Sequence, residues 1–115
     1  DYIFGMREAS GARAWPLDAF AGGRVINDRV GLKPVVLIGD AASRTVRAYE
    51  RGDREFTKAA KADALTGPGG AWTVTEDFLV GPDDTKLPRA AGAISYWFPR
   101  ENYYGERTTL CRRDD

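Results

Sequence analysis

The sequence predicts one β-rich α+β domain over residues 1–115, a mostly antiparallel sheet with short helices. Two observations carry this. Runs of β-branched and aromatic residues recur between Gly, Pro and Asn/Asp turn signals. The longest apolar run, Val35 to Ile38, is continuous, which marks a strand buried on both faces. Short helical pieces are expected after Pro16, after Thr75 and around Tyr96.

Tyr2 to Glu8 reads as a first strand, closed by Ser10-Gly11, and Ala12 to Trp15 returns as a second. Pro16 stops that ladder because it lacks an N–H. Leu17 to Ala21 is then a helical turn ended by Gly22-Gly23, with Trp15, Leu17 and Phe20 as a lid over the core. Arg24 to Val30 is a strand holding Asn27-Asp28, both poor strand formers, so a bulge or tight turn is expected there. After the Gly31–Pro34 turn come the apolar run and another turn at Gly39–Ser43. Thr45 to Arg51 alternates, with Val46 and Ala48 on one face and Arg47 and Tyr49 on the other.

Gly52-Asp53 reads as a hairpin turn that pairs Arg54–Lys58 back on this strand. Lys58 to Leu65 has helical propensity but strand flanks, and a strand or irregular return is preferred. Gly67 to Gly70 is a loop, and Trp72 to Val74 is a strand. Thr75 caps a helical turn through Leu79, with Glu76 and Asp77 near its positive end. Gly81–Asp84 turns the chain into Lys86–Arg89, an edge-like strand limited by Pro88. Around Tyr96, Trp97 and Phe98 a helical segment is expected, broken at Pro99.

Composition excludes much chemistry. Seventeen basic and seventeen acidic residues cancel, leaving no overall field to steer the chain onto nucleic acid. There is no His and one Cys, Cys111. Imidazole pairs, the usual zinc sites and a His-ligated haem are therefore out of reach, so no metal and no cofactor are expected. A lone Cys forms no internal disulfide. Beside Arg112 and Arg113, Cys111 reads as a reactive thiol or, near a terminus, a spare one. No run approaches the roughly 18 apolar residues of a membrane-spanning helix. The start at Asp1 fits a processed protein or a fragment.

The best polar constellation is Arg24, Asn27, Asp28, Arg29 and Tyr49, with Asp28 as cation ligand or base and the arginines tuning it. The competing and preferred reading is that Asn27 and Asp28 satisfy backbone groups at a bulge or turn. Tyr96, Tyr103 and Tyr104 form a candidate interface, while Trp97 and Phe98 read as core. Arg51-Gly52-Asp53 spells an adhesion tripeptide, but Gly-Asp serves hairpin turns for backbone reasons. Gly81-Pro82-Asp83-Asp84 falls short of a calcium loop, and Gly67–Gly70 lacks the Lys-Ser/Thr of a phosphate loop.

Four runs carry a resemblance: ARAWPLDAFAGGRVINDRVGLKPVVLIGD from Ala12, TVRAYERGDREFT from Thr45, GGAWTVTEDFLVG from Gly69 and LPRAAGAISYWF from Leu87. Together they resemble the uncharacterised bacterial domain-of-unknown-function family 3179, over about residues 5–110. The most specific part runs from Pro16-Leu17 through Val25, Asn27 and Asp28 to Pro34-Val35-Val36. The resemblance implies an often exported domain without an established activity. Many members carry a Cys-Pro-Leu-Cys-like pair where this chain has Ile38 to Ser43, and a histidine where it has Gly22-Gly23-Arg24. Any metal or electron chemistry resting on those groups is lost here.

The expected function is a non-catalytic, extracytoplasmic (periplasmic or secreted) interaction or structural module. It would be a subunit or domain of a larger assembly, with a protein partner or its own copies, no nucleic acid and no membrane span. The alternative is a small-molecule (anion) binding or hydrolytic domain centred on Asp28, which requires a pocket joining Asp28 to Arg24, Arg29 and Tyr49.

Overall fold

The computed structural model describes residues 1–96 and 108–110. The strands are β1 (Tyr2–Glu8), β2 (Gly11–Pro16), β3 (Arg24–Val30), β4 (Lys33–Asp40), β5 (Thr45–Glu50) and β6 (Thr57–Lys58), then β7 (Ala64–Gly67), β8 (Gly70–Val74), β9 (Phe78–Val80), β10 (Lys86–Ala90), β11 (Ala93–Tyr96) and β12 (Thr108–Leu110). The one helical element among the described residues is a 3-10 turn, Leu17–Phe20. The chain is thus strand-rich, and among the described residues the short helices of an α+β domain reduce to this turn.

Two sheets form. The smaller has the order β11-β1-β2-β12; β12 lies parallel to β2, and the other pairings are antiparallel. The larger has eight strands in the order β3-β4-β5-β10-β9-β8-β7-β6, all antiparallel. Its end strands, β3 and β6, lie side by side, so the sheet curls into a barrel-like closure. Eight strands leave an interior that side chains can fill. Seven of the eight strands feed it, through Val25, Val36, Tyr49, Leu65, Trp72, Leu79 and Leu87, and Phe56 enters from just before β6.

The smaller sheet packs against the outside of β3–β5, enclosing a second core of Phe4, Met6, Trp15, Val30, Val35 and Leu37, with Phe20 from the 3-10 turn. The continuous apolar run in β4 now has its reason. Val35 and Leu37 face this layer, Val36 faces the barrel, and all three are fully buried. Each such burial contributes about 1.5–3 kcal/mol. The lid formed by Trp15, Leu17 and Phe20 is present, and all three side chains are buried. Gly39 has no side chain because Phe20 occupies its place: a Cβ there would lie 2.6 Å from the Phe20 ring.

Five local expectations are corrected. No helix follows Thr75. Its Oγ1 accepts from the Phe78 N–H at 3.0 Å, the bond a helix cap makes, but it closes a tight turn into β9. A side-chain oxygen three residues upstream serves both structures, and burial of Leu79 selects the strand. Tyr96 lies in β11, not a helix, because residues 93–96 pair with β1 through Gly5↔Ala93 to Tyr2↔Tyr96. The expected continuation through Trp97 and Phe98 lies outside the described residues.

Arg54–Lys58 does not pair back on β5, whose edge is taken by β10 through Arg89↔Tyr49 and Ala90↔Ala48. The strand β10 is therefore internal rather than an edge. Pro88 is tolerated because the Arg89 N–H points to β9, donating to the Asp77 carbonyl, so the missing N–H of Pro88 faces β5 where that ladder has not begun. Finally, β3 has no bulge: its register with β4 runs unbroken from Arg24↔Gly39 to Val30↔Lys33. Asn27 and Asp28 sit in a regular strand because both side chains find partners across the fold.

Candidate functional site

Alternation along β3 sends Asn27 and Asp28 to opposite faces. On the barrel side, Asn27 Nδ2 donates to the Phe56 carbonyl at 2.8 Å, and the Phe56 N–H donates to Asn27 Oδ1 at 2.9 Å. On the other side, Asp28 Oδ2 accepts from the Trp15 indole N–H at 3.0 Å. Its Oδ1 accepts from the Arg29 N–H at 2.9 Å and meets an Arg13 guanidinium nitrogen at 2.8 Å. Both carboxylate oxygens are thereby engaged in holding β2 against β3.

Arg51 completes this corner. It is 9% exposed, and its guanidinium donates to the carbonyls of Val35 (2.8 Å), Arg54 (2.9 Å) and Asp28 (3.0 Å). A buried cation in this setting is satisfied by peptide dipoles. The Arg51-Gly52-Asp53 tripeptide is thus not displayed for adhesion, since its arginine faces the interior and Gly52 takes the positive φ of the turn. Tyr49 is fully buried in the barrel, where its hydroxyl donates to the Thr75 carbonyl.

The five candidate polar residues do not converge. Asp28 and Tyr49 belong to different layers. Arg24 is exposed at the start of β3, and exposed Arg29 turns its guanidinium to the Leu32 carbonyl at 3.4 Å. Three clefts on the described surface are lined by other residues. Arg13, Trp15, Arg51 and Phe56 are the structural partners of Asn27 and Asp28 that sequence reasoning missed. One signal was present: a buried Trp needs an acceptor for its N–H, and Arg13 shares its face of β2, so a carboxylate on the facing strand serves both.

Of the candidate interface residues, Tyr103 and Tyr104 lie outside the described residues, as does Cys111. Tyr96 is 52% exposed and meets the exposed Tyr2 edge to face, with ring centroids 5.4 Å apart. The Arg44 guanidinium lies over the Tyr2 ring at 4.3 Å. Arg44 holds a positive φ in the β4–β5 turn. Tyr2, Arg44 and Tyr96 therefore form one exposed aromatic and cationic patch.

A charge cluster closes the opposite end of β1. Lys33 Nζ lies 3.0 Å from Glu50 and 3.3 Å from Glu8, and its pKa is raised, first by the hydrogen bond to Glu50 and then by that to Glu8. Among the described residues, no three His, Cys, Asp or Glu side chains group as a metal site. No described helix is long and apolar enough to cross a membrane. No family model, curated protein or solved structure matches the chain.

Proposed function

We propose that this chain is a non-catalytic interaction module, acting outside the cytoplasm as a subunit or domain of a larger assembly. One observation carries the reading: Tyr2, Arg44 and Tyr96 make a contiguous exposed patch of the residue types that anchor protein interfaces. The inward-facing polar groups, Asn27, Asp28, Tyr49 and Arg51, bond to the fold itself, which supports a structural over a catalytic role. The extracytoplasmic placement, and kinship with family 3179, rest on the sequence resemblance alone. The partner that fits is a protein surface offering a carboxylate to Arg44 beside an apolar patch for the two tyrosine rings.

The test is affinity capture from native extract with the wild-type chain, a Tyr2→Ala/Tyr96→Ala variant and a Leu32→Ser control. Leu32 is 80% exposed but distant in sequence and strand from the patch. The reading expects one stoichiometric protein that the control retains and the double variant loses. A wild-type chain that runs as a free monomer and holds nothing would overturn it. So would a partner held equally by all three.

A further inference from the structure

At the end of the barrel, three connections border an open cleft of about 480 Å³ lined by Arg54, Pro68, Gly69, Trp72, Pro82, Asp83 and Thr85. That volume lies within the range of small-molecule sites. Its apolar side is fixed. The Trp72 indole N–H donates to the Pro68 carbonyl at 2.9 Å, and Trp72 is 2% exposed. Gly69 takes a φ of +85° in the β7–β8 turn, and a Cβ there would sit 3.3 Å from Pro82, so the two proline turns abut.

Two opposite charges stand on this frame. Asp83 is held by Thr85, whose N–H and hydroxyl both donate to Oδ1, at 3.2 and 2.7 Å. The Arg54 guanidinium carbon lies 6.0 Å from the Trp72 ring centre, and among the described residues the group closes no ion pair. Arg54 and Asp83 both line the cleft and form no ion pair with each other.

We propose that this cleft binds a small zwitterion of the α-amino acid class. The carboxylate sits on Arg54, the ammonium on Asp83, and an apolar side chain lies against Pro68, Pro82 and the Trp72 edge. A guanidinium offers paired N–H donors that match a carboxylate. A cation and an anion held apart over an apolar floor suit a ligand carrying both charges on a compact body. This site shares no residue with the Tyr2–Arg44–Tyr96 patch, so either reading can fail alone.

The test is titration with L-leucine, N-acetyl-L-leucine and L-leucinamide, following the Trp72 indole N–H resonance of the isotope-labelled chain. L-Leucine is expected to shift that resonance saturably, with each half-blocked compound binding at least about tenfold more weakly. Arg54→Gln and Asp83→Asn are each expected to weaken leucine by a similar factor. The second variant keeps an acceptor for Thr85, so the turn survives. Equal binding of N-acetyl-L-leucine would overturn the zwitterion assignment. No saturable shift with millimolar leucine, or undiminished binding by folded variants, would overturn the site.

Discussion

The side-chain amide of Asn27 pairs with the backbone of Phe56 as a neighbouring strand would, donating at 2.8 Å and accepting at 2.9 Å. This reciprocal pair closes the eight-stranded sheet where the ladder between β3 and β6 is missing. Lys58 adds to the same seam, its Nζ donating to the carbonyls of Gly22 at 3.2 Å and Gly23 at 3.0 Å. An asparagine is suited to this place because its amide offers one donor and one acceptor in the plane of a peptide group.

Asn27→Ala is predicted to cost about 2–4 kcal/mol, since it leaves the Phe56 N–H and C=O without partners in a half-buried setting. Urea unfolding should show a lower midpoint at an unchanged slope. Hydrogen exchange at the Phe56 amide should accelerate more than at Val36. A loss below about 0.5 kcal/mol would mean that the seam is held by packing alone.

Asp28 couples two layers, so its removal is predicted to act through Trp15. Asp28→Ala leaves the Trp15 indole N–H without its acceptor and removes the ion pair to Arg13, and a loss of about 1–3 kcal/mol is expected. Trp15→Phe leaves the carboxylate without that donor. A double-mutant cycle on the two should return a coupling of about 0.5–3 kcal/mol, whereas additive losses would show that the bond contributes nothing to stability.

Phe20 and Gly39 give a steric prediction. A methyl group at position 39 would fall 2.6 Å from the Phe20 ring and 3.0 Å from Val46. Gly39→Ala is therefore expected to cost about 1–3 kcal/mol through overpacking. Phe20→Leu in the same chain should recover part of that loss. A stabilised single variant in thermal unfolding would count against the packing described.

How much of this was legible in the sequence differs by the range of the interaction. The bounds of β1 and β3 were readable because alternation and flanking Gly signals are local. The double burial of β4 was readable because an unbroken β-branched run has one common cause. Thr75 misled because its cap-like hydrogen bond is shared by helix starts and tight turns. Asn27 and Asp28 looked like turn residues because their partners, Phe56 at 29 residues' separation and Trp15 at 13, are set by strand order. Strand order in an antiparallel fold follows from long-range burial, and Pro88 shows the difficulty. Its missing N–H matches an edge strand equally well as an internal strand whose second ladder starts one residue later.

The last prediction concerns pH, through Lys33. Its ammonium joins Glu8 at the end of β1 to Glu50 at the end of β5, tying the smaller sheet to the barrel. These partners raise its pKa above the ordinary 10.5. A raised folded-state value means that the contribution is fully present below the unfolded pKa and disappears as pH rises through the folded one. The stability difference between the wild-type chain and Lys33→Met should therefore stay constant from neutral pH to about 10 and shrink above it. Because the group is solvent-accessible, the difference should also fall with added salt at neutral pH. Denaturant unfolding across this range is the check. A difference that shrinks well below pH 9, or persists unchanged to pH 12, would show that the ion cluster does not join the two sheets.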